Sequence, residues 1–270
     1  MIDVTGIVGF IGTGTMGSAL ARAARKSIPG GQILLANRTP EKAILLAREL
    51  GAYAVTNDVA AASARYLFLG LKPQKMAGVL KELSLVLAAR RERFVLVTMA
   101  AGLSIAEIQR MAGREYPVIR IMPNTPASIG QGMLLYACSK NVSPQEKEGF
   151  LGLMAGAGRL MELEENLIDA GACISGCGPA FADLFIEALA DGGVACGLPR
   201  AKAQELAAQM LLGSAALALQ SGQHPGVLKD AVCSPGGTTI QGVRTLEQAG
   251  FRGAVMDAVI AAYEKTEDLK

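Results

Sequence analysis

Six residues near the start, Gly12-Thr13-Gly14-Thr15-Met16-Gly17, have the spacing Gly-x-Gly-x-x-Gly, directly after an apolar, β-branched run and before a helical period. In that context the glycines allow a tight turn and let the backbone approach a pyrophosphate, whose charge would rest on N–H groups at the positive end of a helix. About 20 residues on, an NAD site wants a carboxylate for the ribose hydroxyls. Here stand Asn37-Arg38-Thr39 instead. A forked cation and two neutral hydrogen-bonding side chains suit a 2′-phosphate, so the expected cofactor is NADPH, with NADH a weaker donor. The local alternative makes Arg38 a solvated cation and Thr39 an N-cap before Pro40.

Gly70-Leu71-Lys72-Pro73 and Ala100-Ala101-Gly102 each follow an apolar run. Both loops should open at the carboxyl edge of a sheet, where such folds bind ligands, and should flank the nicotinamide. A second polar turn, Ser234-Pro235-Gly236-Gly237-Thr238-Thr239, precedes another helical period. Its N–H groups could cradle a carboxylate, while the competing reading makes Ser234 an N-cap with Pro235 at the first helical position. His224, the one imidazole, sits in a Gly-Gln-His-Pro-Gly turn and reads as structural or solvated rather than as an acid.

These groups need a frame. Residues 6–11, 32–36, 66–71, 94–98 and 118–121 read as strands; 16–26, 40–50, 74–88 and 105–111 read as helices. Strand and helix in alternation with short links predict a doubly wound, mainly parallel α/β domain over 1–163. Beyond it, 164–270 give long Ala/Leu-rich helical periods broken at Gly197-Leu198-Pro199, Gly222–Pro225 and Ser234–Gly237, so an all-α second domain is expected. That domain is too apolar to stand exposed, which predicts a homodimer or larger ring.

Twenty-six basic against 24 acidic side chains, a net charge of +2, and 4 % aromatics with no Trp argue against nucleic acid or an anionic membrane as partner. A small-molecule substrate is expected. Five cysteines without a Cys-x-x-Cys pair and one histidine leave too few ligands for a metal, and read as reduced, mostly buried thiols of a cytoplasmic protein. The apolar stretch from Val4 to Gly14 lacks a basic lead and is interrupted by glycine, unlike a signal peptide. Residues 206–219 are too short for a bilayer.

Taken in order, Gly9-Phe10-Ile11 with the glycine turn, Lys72-Pro73, Ala100-Ala101-Gly102, Met122-Pro123-Asn124-Thr125-Pro126, Ser175-Gly176-Cys177-Gly178-Pro179-Ala180, Ala190-Asp191-Gly192-Gly193, His224-Pro225-Gly226 and Ser234–Thr239 resemble the pyrroline-5-carboxylate reductase family over nearly the whole chain. The resemblance implies a Rossmann domain, a helical dimerisation domain, and reduction of 1-pyrroline-5-carboxylate by NAD(P)H to L-proline. It implies that Asn57 lies near the nicotinamide ribose and that Ser234, Gly237, Thr238 and Thr239 hold the substrate, to which the reading of the turn adds the Gly236 N–H. Thr239 is implied to meet the ring nitrogen, and Glu165 to lie near the substrate. Cys177 stands where several relatives have serine, and Met99 is a further departure. The rivals are a keto or 3-hydroxyacid reductase, which would want a lysine that the helix over 175–193 does not offer, and a non-catalytic NADP-binding regulator, which would not need the Ser234–Thr239 turn.

Overall fold

The computed structural model describes residues 6–268. The two ends of the chain, including Val4 of the apolar N-terminal stretch, lie outside the described residues.

Four-residue, mostly apolar runs make the inner strands: β1 Val8–Ile11, β2 Ile33–Ala36, β4 Tyr66–Leu69 and β5 Val95–Thr98 are buried throughout. Between them come α1 Thr15–Ser27, α2 Pro40–Leu50, the short β3 Tyr53–Ala54, α3 Asn57–Ser63 and α4 Pro73–Ala89. Helix α5 Ile105–Ala112 leads to β6 Val118–Met122, then β7 Gly132–Cys138, α6 Pro144–Met154 and β8 Gly158–Glu162. The sheet runs β3-β2-β1-β4-β5-β6-β7-β8, parallel except where β6 meets β7.

Alternation along each strand divides the core between two faces. On one, Phe10 stacks on Phe68 with ring centroids 4.5 Å apart and Phe150 lies tilted 6.5 Å from Phe68, while Leu67, Leu69, Met76 and Leu80 fill the other. A sheet covered on both sides is what continuous apolar strands require. The strand order reverses between β1 and β4, so a crevice opens beyond their carboxyl ends.

Five strands were expected and the described residues hold eight. Strand β3 is two residues long, β7 is an apolar run that gets its direction only from pairing with β6, and β8 mixes Arg, Leu, Met and Glu without period. Strand β4 ends at Leu69, which leaves Gly70 and Leu71 in the loop.

After β8 comes α7 Ile168–Ser175. By compactness the described residues divide after Gly176: one unit holds 6–176 and 263–268, the other 177–262. The second unit contains α8 Gly178–Ala195, α9 Arg200–Ser221, α10 Pro225–Val232, α11 Thr238–Gln248 and most of α12 Phe251–Glu267. Helices α8 and α9 pack tightly, since a Cβ on Gly193 would stand 3.1 Å from that of Ala203. In that unit only Ala190, Ala203 and Ala207 are buried, while Leu184, Leu212, Leu219 and Met256 are each about 60 % exposed or more. Such a set of helices has no core of its own. The stretch Glu165–Ala195 has the length and apolarity of a membrane span by composition, and only 6 % of its most apolar window is buried.

Candidate active site

The glycine turn leaves β1 at Gly12, whose N–H donates to Ala36 O at 2.8 Å. Gly12 has φ 99°, and a Cβ there would lie 2.2 Å from Gly70 O; a Cβ on Gly17 would lie 2.0 Å from Gly12 O. Both glycines are therefore demanded by the chain's own packing. Gly14 is different: a Cβ there would meet nothing within 4 Å, and the residue is exposed. Helix α1 starts at Thr15 with Gly14 as N-cap, no side-chain cap and no acidic residue in its first turn. Its leading N–H groups lack intrahelical partners and carry the positive end of the dipole. Beside them the buried Thr13 hydroxyl has no hydrogen-bond partner. An open position at Gly14, an orphan hydroxyl and uncapped N–H groups together fit a pyrophosphate.

Asn37 accepts the Thr13 N–H through Oδ1 at 3.1 Å and donates through Nδ2 to Thr39 O at 2.9 Å. Its amide is spent on holding the turn. Thr39 occupies the N-cap place of α2, but its hydroxyl makes no capping bond. Arg38 is exposed, and no ion pair involves it among the described residues. Asn37 and Asn57 line one cleft of about 710 Å³ with Pro40, Thr56 and Asp58. Asn57 opens α3, whose N-cap Thr56 accepts the Val59 N–H at 3.4 Å.

Gly70 N–H donates to Ile11 O at 2.8 Å, which draws the loop after β4 against the glycine turn. Leu71 is half-buried; Lys72 is exposed at the N-cap of α4, with Pro73 in its first turn. On β4's other neighbour, Ala100, Ala101 and Gly102 follow β5, with Ala100 buried, Ala101 exposed and Gly102 at φ 73°. A cavity of about 480 Å³ opens there, lined by Gly102, Ser104, Glu107, Arg120, Glu165 and Asp169, among others. Arg120 and Asp169 escaped the reading of the sequence. The signal for Arg120 was present, a cation in the otherwise apolar β6; nothing local pointed to Asp169.

In the helical unit, Ser234 to Gly237 form a turn in which Gly237 N–H donates to Ser234 O at 3.0 Å and Gly236 takes φ 70°. Helix α11 begins at Thr238 with Gly237 as N-cap, so Ser234 is not the N-cap and Pro235 is not helical. A Cβ on Gly237 would lie 2.4 Å from Ser234 Oγ. Ser234, Gly236, Thr238 and Thr239 are exposed, and the first N–H groups of α11 have no side-chain cap.

His224 is the N-cap of α10, its Nδ1 accepting the Gly226 N–H at 3.0 Å. The thiols correct one expectation: of the five, Cys173 alone is buried, Cys138 and Cys233 are partly so, and Cys177 and Cys196 are exposed. The exposed pair belongs to the helical unit, which buries almost nothing by itself.

Residues 165–269 match the family model described as pyrroline-5-carboxylate reductase dimerisation, and residues 7–102 match that of NADP oxidoreductase coenzyme F420-dependent. The pyrroline-5-carboxylate reductase of Pisum sativum is 39 % identical over 97 % of this chain and 95 % of its own, and that of Escherichia coli 38 % over 97 % of both. A crystal structure of Plasmodium falciparum pyrroline carboxylate reductase with NADP bound superposes with a TM-score of 0.87 at 32 % identity, covering 98 % of each chain. The dimerisation match accounts for helices without a core: this part of the chain serves self-association. Likeness of this extent, across both the glycine-turn unit and the helical one, means that the chain belongs to the pyrroline-5-carboxylate reductase family.

Proposed function

We propose that the protein reduces 1-pyrroline-5-carboxylate to L-proline with NADPH, as the last step of proline biosynthesis in the cytoplasm. The observation that carries this reading is the pairing, in one chain, of a glycine turn left open at Gly14 with an uncapped helix start at Thr238 behind the Ser234–Gly237 turn. Residues 1–163 hold the cofactor; residues 164–270 bind substrate and join a second copy into a homodimer or ring of dimers, which covers the apolar faces.

Gly12, Thr13, Gly14, Thr15, Met16 and Gly17 hold the pyrophosphate on backbone N–H groups. Arg38 and the uncommitted hydroxyl of Thr39 take the 2′-phosphate, with Asn37 as the clamp that sets them beside the turn. Asn57 contacts a ribose. Gly70, Leu71, Lys72 and Pro73 on one side and Ala100, Ala101 and Gly102 on the other bound the nicotinamide, which supplies hydride when bound.

On the substrate side, the N–H groups of Gly236 to Thr238 and the Ser234 hydroxyl fix the carboxylate, helped by the dipole of α11. Thr239 orients the ring nitrogen. A cyclic imine is basic enough to bind protonated, so the turn needs no strong acid, and it contains hydroxyls and N–H groups but no His or Lys. Catalysis here is positioning. The test is NADPH oxidation with 1-pyrroline-5-carboxylate beside an NADH control. Turnover with NADPH preferred is expected; a folded protein that binds NADPH and turns over neither would overturn the reading.

A further inference from the structure

Arg120 is the buried cation of the sheet. Its side chain is 4 % exposed on the face of β6 that α5 and α7 cover, and Nη2 lies 2.5 Å from Oδ1 of Asp169, itself 6 % exposed. Nη1 stands 3.7 Å from Oε1 of Glu165, and Nε is buried without a partner. Replacing a buried ion pair by apolar side chains is often neutral or stabilising, so such a group is weak evidence of stability and better evidence of a fixed arrangement.

What it fixes is the loop between β5 and α5. At the loop's start, Thr98 is the register partner of Arg120, and the Thr98 hydroxyl accepts the Ala100 N–H at 3.4 Å. At its end, Glu165 Oε1 accepts the N–H of Ile105, the first residue of α5, at 2.5 Å. Ser104 and Glu107 form a capping box there, so the helix start has a local cap already. Glu165 adds an anchor from 60 residues away that ties this helix start to Arg120. The end of the six-residue loop 99–104 is thus tied through Glu165 to the guanidinium, and its start is set by strand pairing with the residue that carries it.

We propose that Arg120, held by Asp169, acts through Glu165 as a positioning clamp that sets the Ala100–Gly102 loop against the nicotinamide and so sets the hydride-transfer distance. The inference rests on the assignment of that loop to the nicotinamide. It gives Glu165 a role on the loop rather than on the substrate.

Because Arg120→Ala would break a buried ion pair and threaten folding, the test uses the partly exposed Glu165 in the full-length enzyme. Glu165→Ala, Glu165→Gln and the loop control Gly102→Val are compared in kcat, both KM values, melting temperature, and the isotope effect with NADPH deuterated at the transferred position. Expected for Glu165→Ala is a kcat lower by about tenfold, the loss of one such hydrogen bond to a charged group, with a larger isotope effect and unchanged KM for NADPH. Glu165→Gln keeps one oxygen that can face both the Ile105 N–H and the Arg120 guanidinium, and should recover most of that loss. Wild-type kcat and isotope effect in Glu165→Ala, with Gly102→Val impaired, would overturn the clamp and leave the loop assignment standing. Wild-type behaviour in Gly102→Val as well would remove the loop assignment and the clamp with it. A change confined to the imine KM, or parallel losses of kcat and melting temperature without rescue by Gln, would equally overturn the clamp.

Discussion

Gly12 and Gly70 meet backbone to backbone: the Cβ that Gly12 lacks would stand 2.2 Å from Gly70 O, and the Cβ that Gly70 lacks would stand 2.6 Å from Gly12 O. Two loops that leave adjacent strands β1 and β4 therefore close on each other at the point where strand order reverses. Gly12→Ala adds a clash with backbone to a φ of 99° and should cost about 2 kcal/mol of stability. Gly14→Ala has room within the chain and should melt like the parent, yet lose NADPH affinity on the order of tenfold. Thermal melts and NADPH titration of the two variants separate these effects. Equal loss of stability in both would contradict the assignment of Gly14 to a ligand.

Arg38→Ala should raise the KM for NADPH by on the order of tenfold or more, the worth of a charged hydrogen bond, and leave NADH kinetics unchanged. Steady-state kinetics with both donors checks this. An NADPH preference that survives the substitution would move the 2′-phosphate away from Arg38 and Thr39.

Thr239→Val keeps the shape of the side chain and removes its hydroxyl. Thr239 is the second residue of α11 and exposed, so stability should hold while kcat falls on the order of tenfold. Unchanged turnover and unchanged imine KM would end its role on the ring nitrogen.

Glu146 gives a prediction about acid. Burial raises its pKa, but the Arg93 guanidinium at 2.6 Å and the Ser143 N–H and hydroxyl outweigh this and hold the carboxyl below its ordinary 4.5. A folded-state pKa below the unfolded one gives stability that is present above about pH 4.5 and is lost as pH falls through the folded value. Glu146→Gln should melt lower at neutral pH and show a shallower decline from pH 5 to pH 3. Parallel pH curves for parent and variant would show that another carboxylate governs acid unfolding.

Light scattering at working concentration should give at least twice the mass of the chain, because three buried alanines cannot support the helices of 177–262. A monodisperse monomer would contradict this.

The glycine turn was legible in the sequence because its chemistry is local. A strand, three glycines at fixed spacing and a helix start are adjacent in the chain, so the spacing itself identifies the turn. The inner strands were legible for a similar reason, since a sheet covered on both faces needs continuous apolar runs. The helical half announced itself by Ala/Leu periodicity, and its need for a partner by excess apolar surface. What tertiary structure alone decided lies in contacts between distant residues. Strand β7 acquires its antiparallel sense only by pairing with β6, and Gly70 is needed because Gly12 lies against it. The start of α11 at Thr238, three residues later than a Ser234 cap would place it, excludes Ser234 as the cap. The Arg120–Asp169 pair spans 49 residues and the Glu165 bond to Ile105 spans 60; no period or motif records such pairs, because desolvation and packing in the assembled fold bring them together.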